Sequence, residues 1–184
     1  MNYIDFHCDT LMKIGNEENR QSLYSNDRTS VDFNRLKKSG AMAQFFAIFL
    51  IDEERINKHF GSDDKYINKL AKILKDEVAK NDNIISMAYS AEDLLKNHGS
   101  GKVSAFLTIE DGRSVDGKLE KLDEYYNLGV RLITLTWNYE NCFGYPNSKD
   151  PVIMNKGLKT FGKDAIEYMN HLGMIIDVSH LSDG

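Results

Sequence analysis

One pattern constrains this chain more than any other: a helix, a glycine just past its end, then an apolar strand. It occurs three times. Lys37-Lys38-Ser39-Gly40 precedes the run Ala41 to Ile51, Gly129 separates a helix over Asp116 to Leu128 from Val130 to Thr136, and Gly173 separates Thr160 to Leu172 from Met174 to Val178. Glycine past a helix end takes the left-handed conformation that closes the helix cheaply. Strands that alternate with helices pair in parallel and are covered by those helices. The pattern therefore predicts an α/β fold with a parallel sheet.

The remaining elements fit that frame. Tyr3, Ile4 and Phe6 predict an opening strand that places Asp5, His7 and Asp9 on one face and Ile4, Phe6 and Cys8 on the other. The polar stretch 11–30 reads as a long loop, and a short helix follows over about Asp32 to Lys38. Apolar residues at helical spacing from Tyr66 to Val78 predict a helix over Asp63 to Lys80, with Ser62 as its N-cap. Ile84 to Tyr89 reads as a short strand, Ser90 caps a helix through about Asn97, and Val103 to Ile109 forms a strand ending in Glu110-Asp111-Gly112. That makes five main strands in one domain, 1–184.

Polar residues fall at the strand ends. His7 and Asp9 close the first, Glu110 the third, Trp137-Asn138 the fourth and Ser179-His180 the fifth. In parallel α/β sheets and barrels the carboxyl ends of the strands share the rim that carries the site. Two imidazoles and two carboxylates gathered there suit one divalent ion, or two if a carboxylate bridges. Other readings stay open: an exposed edge strand for His7 and Asp9, a helix N-terminal turn for Glu110-Asp111-Gly112, and a helix cap for His180. His59, His98 and His171 read as surface residues.

Several function classes are excluded. A net charge of −5 argues against nucleic-acid binding. No apolar run approaches a membrane span and no secretory signal opens the chain, so a cytoplasmic location is expected. Cys8 and Cys142 are too few for a disulfide framework. Phosphate-loop, dinucleotide-binding and Gly-x-Ser-x-Gly motifs are missing, and Cys8 faces away from His7. Cys142 reads as a surface or half-buried thiol.

The stretches Asp5-Phe6-His7-Cys8-Asp9-Thr10, Ile109-Glu110-Asp111-Gly112, Gly129 to Thr136 and Asn170 to Asp183 together resemble the membrane dipeptidase (renal dipeptidase) family of zinc peptidases. The resemblance implies an amidohydrolase-like, metal-dependent (β/α)8 TIM barrel. It implies two Zn2+ ions per complete site: His7 and Asp9 on one, His180 on the other and Glu110 bridging both. It implies hydrolysis of dipeptides, including those with a C-terminal D-residue, by a hydroxide shared between the metals. Asp5 reads as support behind the ligands.

Two features depart from the family pattern. Where mammalian members place a substrate-contacting histidine, this chain has Trp137, followed by Asn138; we expect Trp137 to pack on the substrate. A (β/α)8 barrel also takes about 250 residues, so these 184 residues are expected to cover its first five strands, an incomplete barrel. The resemblance assigns another zinc-binding histidine, a substrate-binding arginine and an acid/base aspartate to the remainder; alone, the 184 residues are expected to be unstable, inactive and able to hold at most the first zinc. The alternatives are another binuclear-metal amidohydrolase acting on N-acyl amino acids or lactams, and an inactive metal-binding fragment. Oligomeric state stays open, a homodimer included.

Overall fold

The computed structural model describes residues 2–15 and 21–184. These fall into two compact units. The first comprises Met1–Phe49 and Glu54–Thr108, the second Leu50–Glu53 and Ile109–Gly184.

The first unit is built on parallel strands. β1 (Tyr3–Asp5) pairs with β2 (Ala41–Phe49), aligning Ile4 with Ala43 and Asp5 with Gln44. β2 neighbours β4 (Val103–Glu110), and the short β3 (Ile85–Met87) also pairs with β4 in parallel. The β4 side chains are buried from its first residue to its last, the polar Ser104, Thr108 and Glu110 among them. Phe6 stacks on Phe45 at a centroid separation of 4.6 Å, and Phe45 stacks on Phe106 at 4.5 Å.

The helices form where the capping residues lie. Asp32 accepts the Arg35 amide ahead of α2 (Phe33–Ser39), and Gly40 closes that helix at φ 80°. Ser62 accepts the Lys65 amide ahead of α4 (Asp63–Lys80), whose Tyr66, Ile67, Leu70, Leu74 and Val78 are buried. Ser90 does the same for α5 (Ala91–Gly99). The expected loop over 11–30 is corrected at its start: Thr10–Gly15 is a helix, α1, that buries Leu11 and Ile14 against β2 and α4. Leu11 and Ile14 fall three residues apart on one helix face, and their tertiary burial stabilises a helix too short to form alone. Residues 16–20 of that expected loop lie outside the described residues. α3 (Glu53–Phe60), which no apolar periodicity announces, buries only Ile56.

In the second unit, β5 (Val130–Thr134) and β6 (Ile175–Asp177) pair in parallel, with Ile133 opposite Ile176. Each follows a helix: α6 (Glu120–Leu128), closed by Gly129, and α8 (Thr160–Leu172), closed by Gly173. The Tyr168 hydroxyl on α8 donates to Asp123 on α6 at 2.8 Å. α6 begins four residues later than expected because Asp116 and Gly117 take left-handed conformations after a 3-10 turn at Gly112–Val115. A short helix, α7 (Pro151–Met154), was also not legible in the sequence. No helix begins at Leu181, which instead bridges to Pro146.

Two stability predictions follow from this packing. A Cβ at Gly162 would collide with the Phe143 carbonyl, so Gly162→Ala should destabilise the protein by about 1–3 kcal/mol in chemical denaturation. Glu77 is buried on α4. Burial opposes its ionisation, but Lys80 at 2.9 Å, the Leu23 amide and the Ser22 hydroxyl outweigh it and hold the carboxyl below its usual range. A depressed carboxyl contributes stability above its unfolded pKa, roughly 4.3, and loses it as pH falls through the lower folded value. Denaturation midpoints of Glu77→Gln should therefore fall less steeply than wild type as pH drops below that value.

Candidate metal and active site

The residues singled out at the strand ends form two close pairs, one within each unit. In the first unit His7 Nε2 lies 3.4 Å from Asp9 Oδ1. The regular strand expected through Asp9 is corrected: β1 ends at Asp5. There the Asp5 carboxylate turns back to accept the His7 amide at 3.3 Å. The chain rejoins β2 at Cys8, whose amide donates to the Phe45 carbonyl and whose carbonyl accepts the Ala47 amide. Phe6 and Cys8, expected on one face, therefore differ: Phe6 is 52% exposed, while Cys8 is buried. The bend at Asp5 breaks the two-residue alternation that the expectation relied on.

Asp9 Oδ1 is shielded from solvent and accepts no hydrogen bond from any described residue, although the Asp9 side chain as a whole is 40% exposed. Burying such an oxygen unsatisfied is costly. An imidazole nitrogen beside it completes the donor chemistry that divalent ions prefer. The pair fits a metal ion.

In the second unit Glu110 ends β4, with its side chain buried, and Glu110 Oε1 lies 3.3 Å from His180 Nε2. His180 sits just past β6 at φ 66°, a strained left-handed conformation for a residue with a Cβ. Two bonds hold it there. Its carbonyl accepts the Asn147 amide at 2.7 Å and the buried Thr136 hydroxyl at 3.2 Å. This pair offers the same imidazole and carboxylate chemistry as the first.

Asp111 follows Glu110, also at positive φ (75°), and caps the 3-10 turn through the Arg113 amide. Burial pushes its carboxyl above the ordinary range, against the lowering effects of the Asn141 amide and the Arg113 guanidinium. Arg113 and Asn141 were not singled out in the sequence. The one local signal for them is an arginine two residues after the acid that follows a strand-end glutamate.

Trp137 is half-buried and Asn138 exposed; the Trp137 ring lies edge-on to Tyr139 at 6.3 Å. His59, His98 and His171 are exposed. Neither thiol suits nucleophilic catalysis: burial pushes Cys8 up to about 12, and burial also raises the half-buried Cys142.

Comparison with known proteins identifies the lineage. A family model described as "Membrane dipeptidase (Peptidase family M19)" matches residues 1–184. The chain belongs to this family. It is similar to an uncharacterized dipeptidase of Schizosaccharomyces pombe, with 37% identity over 107 residues, 57% of this chain and 26% of that protein. It is also similar to human dipeptidase 3, with 35% identity over 102 residues, 54% of this chain and 20% of that protein. The matched segments thus span about a quarter or less of these relatives.

Among solved structures, the M19 metallo peptidase dipeptidase AC matches with a TM-score of 0.79 at 19% identity, covering 98% of this chain and 58% of that one. A metallo peptidase from Rhodobacter sphaeroides, liganded with a phosphinate mimic of the dipeptide L-Ala-D-Ala, matches at 0.78 and 19% identity, covering 98% and 59%. The fold class is accordingly the expected one: parallel α/β, with the chain carrying part of the family's barrel.

The thiol environments make a direct prediction. With Cys8 near 12, only about one thiol in 10,000 is ionised at pH 8, and the thiolate is the reactive form. A thiol reagent at that pH should label Cys142 first and reach Cys8 only on unfolding, as peptide mapping would show.

Proposed function

We propose that this chain carries the metal-binding part of a zinc-dependent dipeptidase active site. Within the first unit His7 and Asp9 would hold one Zn2+, and within the second Glu110 and His180 would hold another. The reading extends the resemblance and the family membership to the two imidazole–carboxylate pairs. The buried, unbonded Asp9 Oδ1 beside His7 Nε2 carries its metal part. Zinc when bound supplies Lewis acidity toward the scissile carbonyl and activates water.

The chain's own residues supply the rest. Asp5, through the His7 amide, sets the bend that brings His7 beside Asp9. Thr136 and Asn147, through the His180 carbonyl, hold the strained backbone that presents the second imidazole. Trp137 and Asn138 form the substrate wall. An indole packs against a dipeptide side chain and donates one hydrogen bond, but it cannot take or give the reacting proton. The proposed substrates are dipeptides, including those with a C-terminal D-residue; the ligand of the Rhodobacter sphaeroides structure supports that breadth. A cytoplasmic location is part of the proposal. Among the described residues no helix is long and apolar enough to cross a membrane.

The test uses the full encoded protein with added zinc, assayed on dipeptides, N-acyl amino acids and lactams, with metal content measured alongside. Two zinc ions per chain and turnover of dipeptides, L-Ala-D-Ala among them, are expected. Preference for N-acyl amino acids or lactams would replace the dipeptide assignment, and one ion or none without turnover would mark a non-catalytic binder. Residues behind the ligands typically cost 10–100-fold on mutation. The ligand variants Asp9→Asn and Glu110→Gln should therefore each lower kcat by more than ~100-fold.

A further inference from the structure

Glu110 is held by a closed ring of interactions that nothing in its own side chain requires. Its carbonyl accepts the Leu50 amide at 3.0 Å. The Leu50 carbonyl accepts Nη1 of Arg113 at 2.8 Å, and the Ile51 carbonyl accepts Nη2 at 2.7 Å. The same guanidinium lies 3.4 Å from Asp111 Oδ2, and Asp111 Oδ1 accepts the Arg113 amide at 3.1 Å. Asp111 is covalently next to Glu110, which closes the ring. Asn141 braces it from outside, its amide donating to Asp111 Oδ1 at 2.9 Å and to the Leu135 carbonyl at 2.7 Å.

The components are poorly suited to a purely local role. The Arg113 side chain is mostly buried, and the Asp111 side chain almost wholly so. Asp111 also holds a left-handed backbone that costs about 1–3 kcal/mol for a residue with a Cβ. Such strain persists only where the surroundings over-determine it. Here they do so at the residue that follows a strand-end carboxylate. The planar guanidinium fork is what allows one side chain to bind two successive carbonyls and a carboxylate; an ammonium cannot reproduce that geometry.

We propose that Arg113 is a positioning residue that locks the Glu110 main chain against the Leu50–Ile51 segment, so that the Glu110 carboxylate is preorganised to bind metal. The inference rests on the reading of Glu110 as a zinc ligand. It adds a residue that touches neither metal nor substrate and acts through Leu50 and Asp111.

The test is metal binding by the full-length protein, with Zn2+ titrated against a chromophoric chelator and the visible spectrum of the Co2+-loaded form recorded. Arg113→Lys keeps the charge but not the fork, and Asn141→Ala removes the brace while leaving the guanidinium. Arg113→Lys should weaken Zn2+ binding by about 10–100-fold, with Asn141→Ala shifting it less in the same direction. Both should alter the Co2+ spectrum at saturating metal. A purely structural role would lower the metal-free thermal midpoint while leaving affinity and the Co2+ spectrum as in wild type, and that result overturns the proposal. If Arg113→Lys fails to fold, Asn141→Ala decides: unchanged affinity and spectrum count against the ring. Wild-type protein that binds no zinc would instead overturn the metal assignment itself.

Discussion

A carboxylate at the end of a fully buried strand is the constraint that the chemistry of this chain turns on. Every residue of β4 from Val103 to Glu110 is buried, and seven of them are uncharged. The eighth brings a charge into a place where an unpaired charge costs several kcal/mol. His180 Nε2 at 3.3 Å stands against that cost, while the ring through Leu50 and Arg113 fixes the main chain that carries the carboxylate. A buried carboxylate on a fixed main chain, with an imidazole beside it, is suited to holding a cation.

Local strain concentrates at the same place. Among the described residues, three that are not glycine have positive φ: Asp111, Asp116 and His180. Asp111 follows the Glu110 carboxylate, and His180 supplies the imidazole 3.3 Å from it. Each of these two is tied by hydrogen bonds to distant parts of the second unit, Asp111 to Asn141 and His180 to Asn147 and Thr136. The long segment between β5 and α8 thus does more than connect them. It supplies the donors that keep two unfavourable backbone conformations in place.

Legibility in the sequence followed the range of the interaction responsible. α2, α4, α5 and α8 were readable because their caps and apolar spacing lie within a few residues: Asp32, Ser62 and Ser90 at the starts, Gly40 and Gly173 at the ends. α1 was not, since Leu11 and Ile14 make a helix worthwhile only by burial against β2 and α4. The bend after Asp5 was hidden for a similar reason. A single carboxylate-to-amide hydrogen bond diverts the chain where residue type alone predicts a continuing strand.

The sequence by itself determined the parallel α/β class, through three helix–glycine–strand units, and the four candidate ligands, through the habit of such folds to gather polar groups at strand ends. Each unit and each strand end is marked by residues close together in the chain, although the four candidate ligands themselves lie far apart in it. Only the tertiary structure decided how His7 comes to lie beside Asp9, what holds His180 in a left-handed turn, and that Arg113 and Asn141 brace the main chain at Glu110. Those outcomes depend on hydrogen bonds to carbonyls and amides, which every residue possesses and no sequence pattern marks.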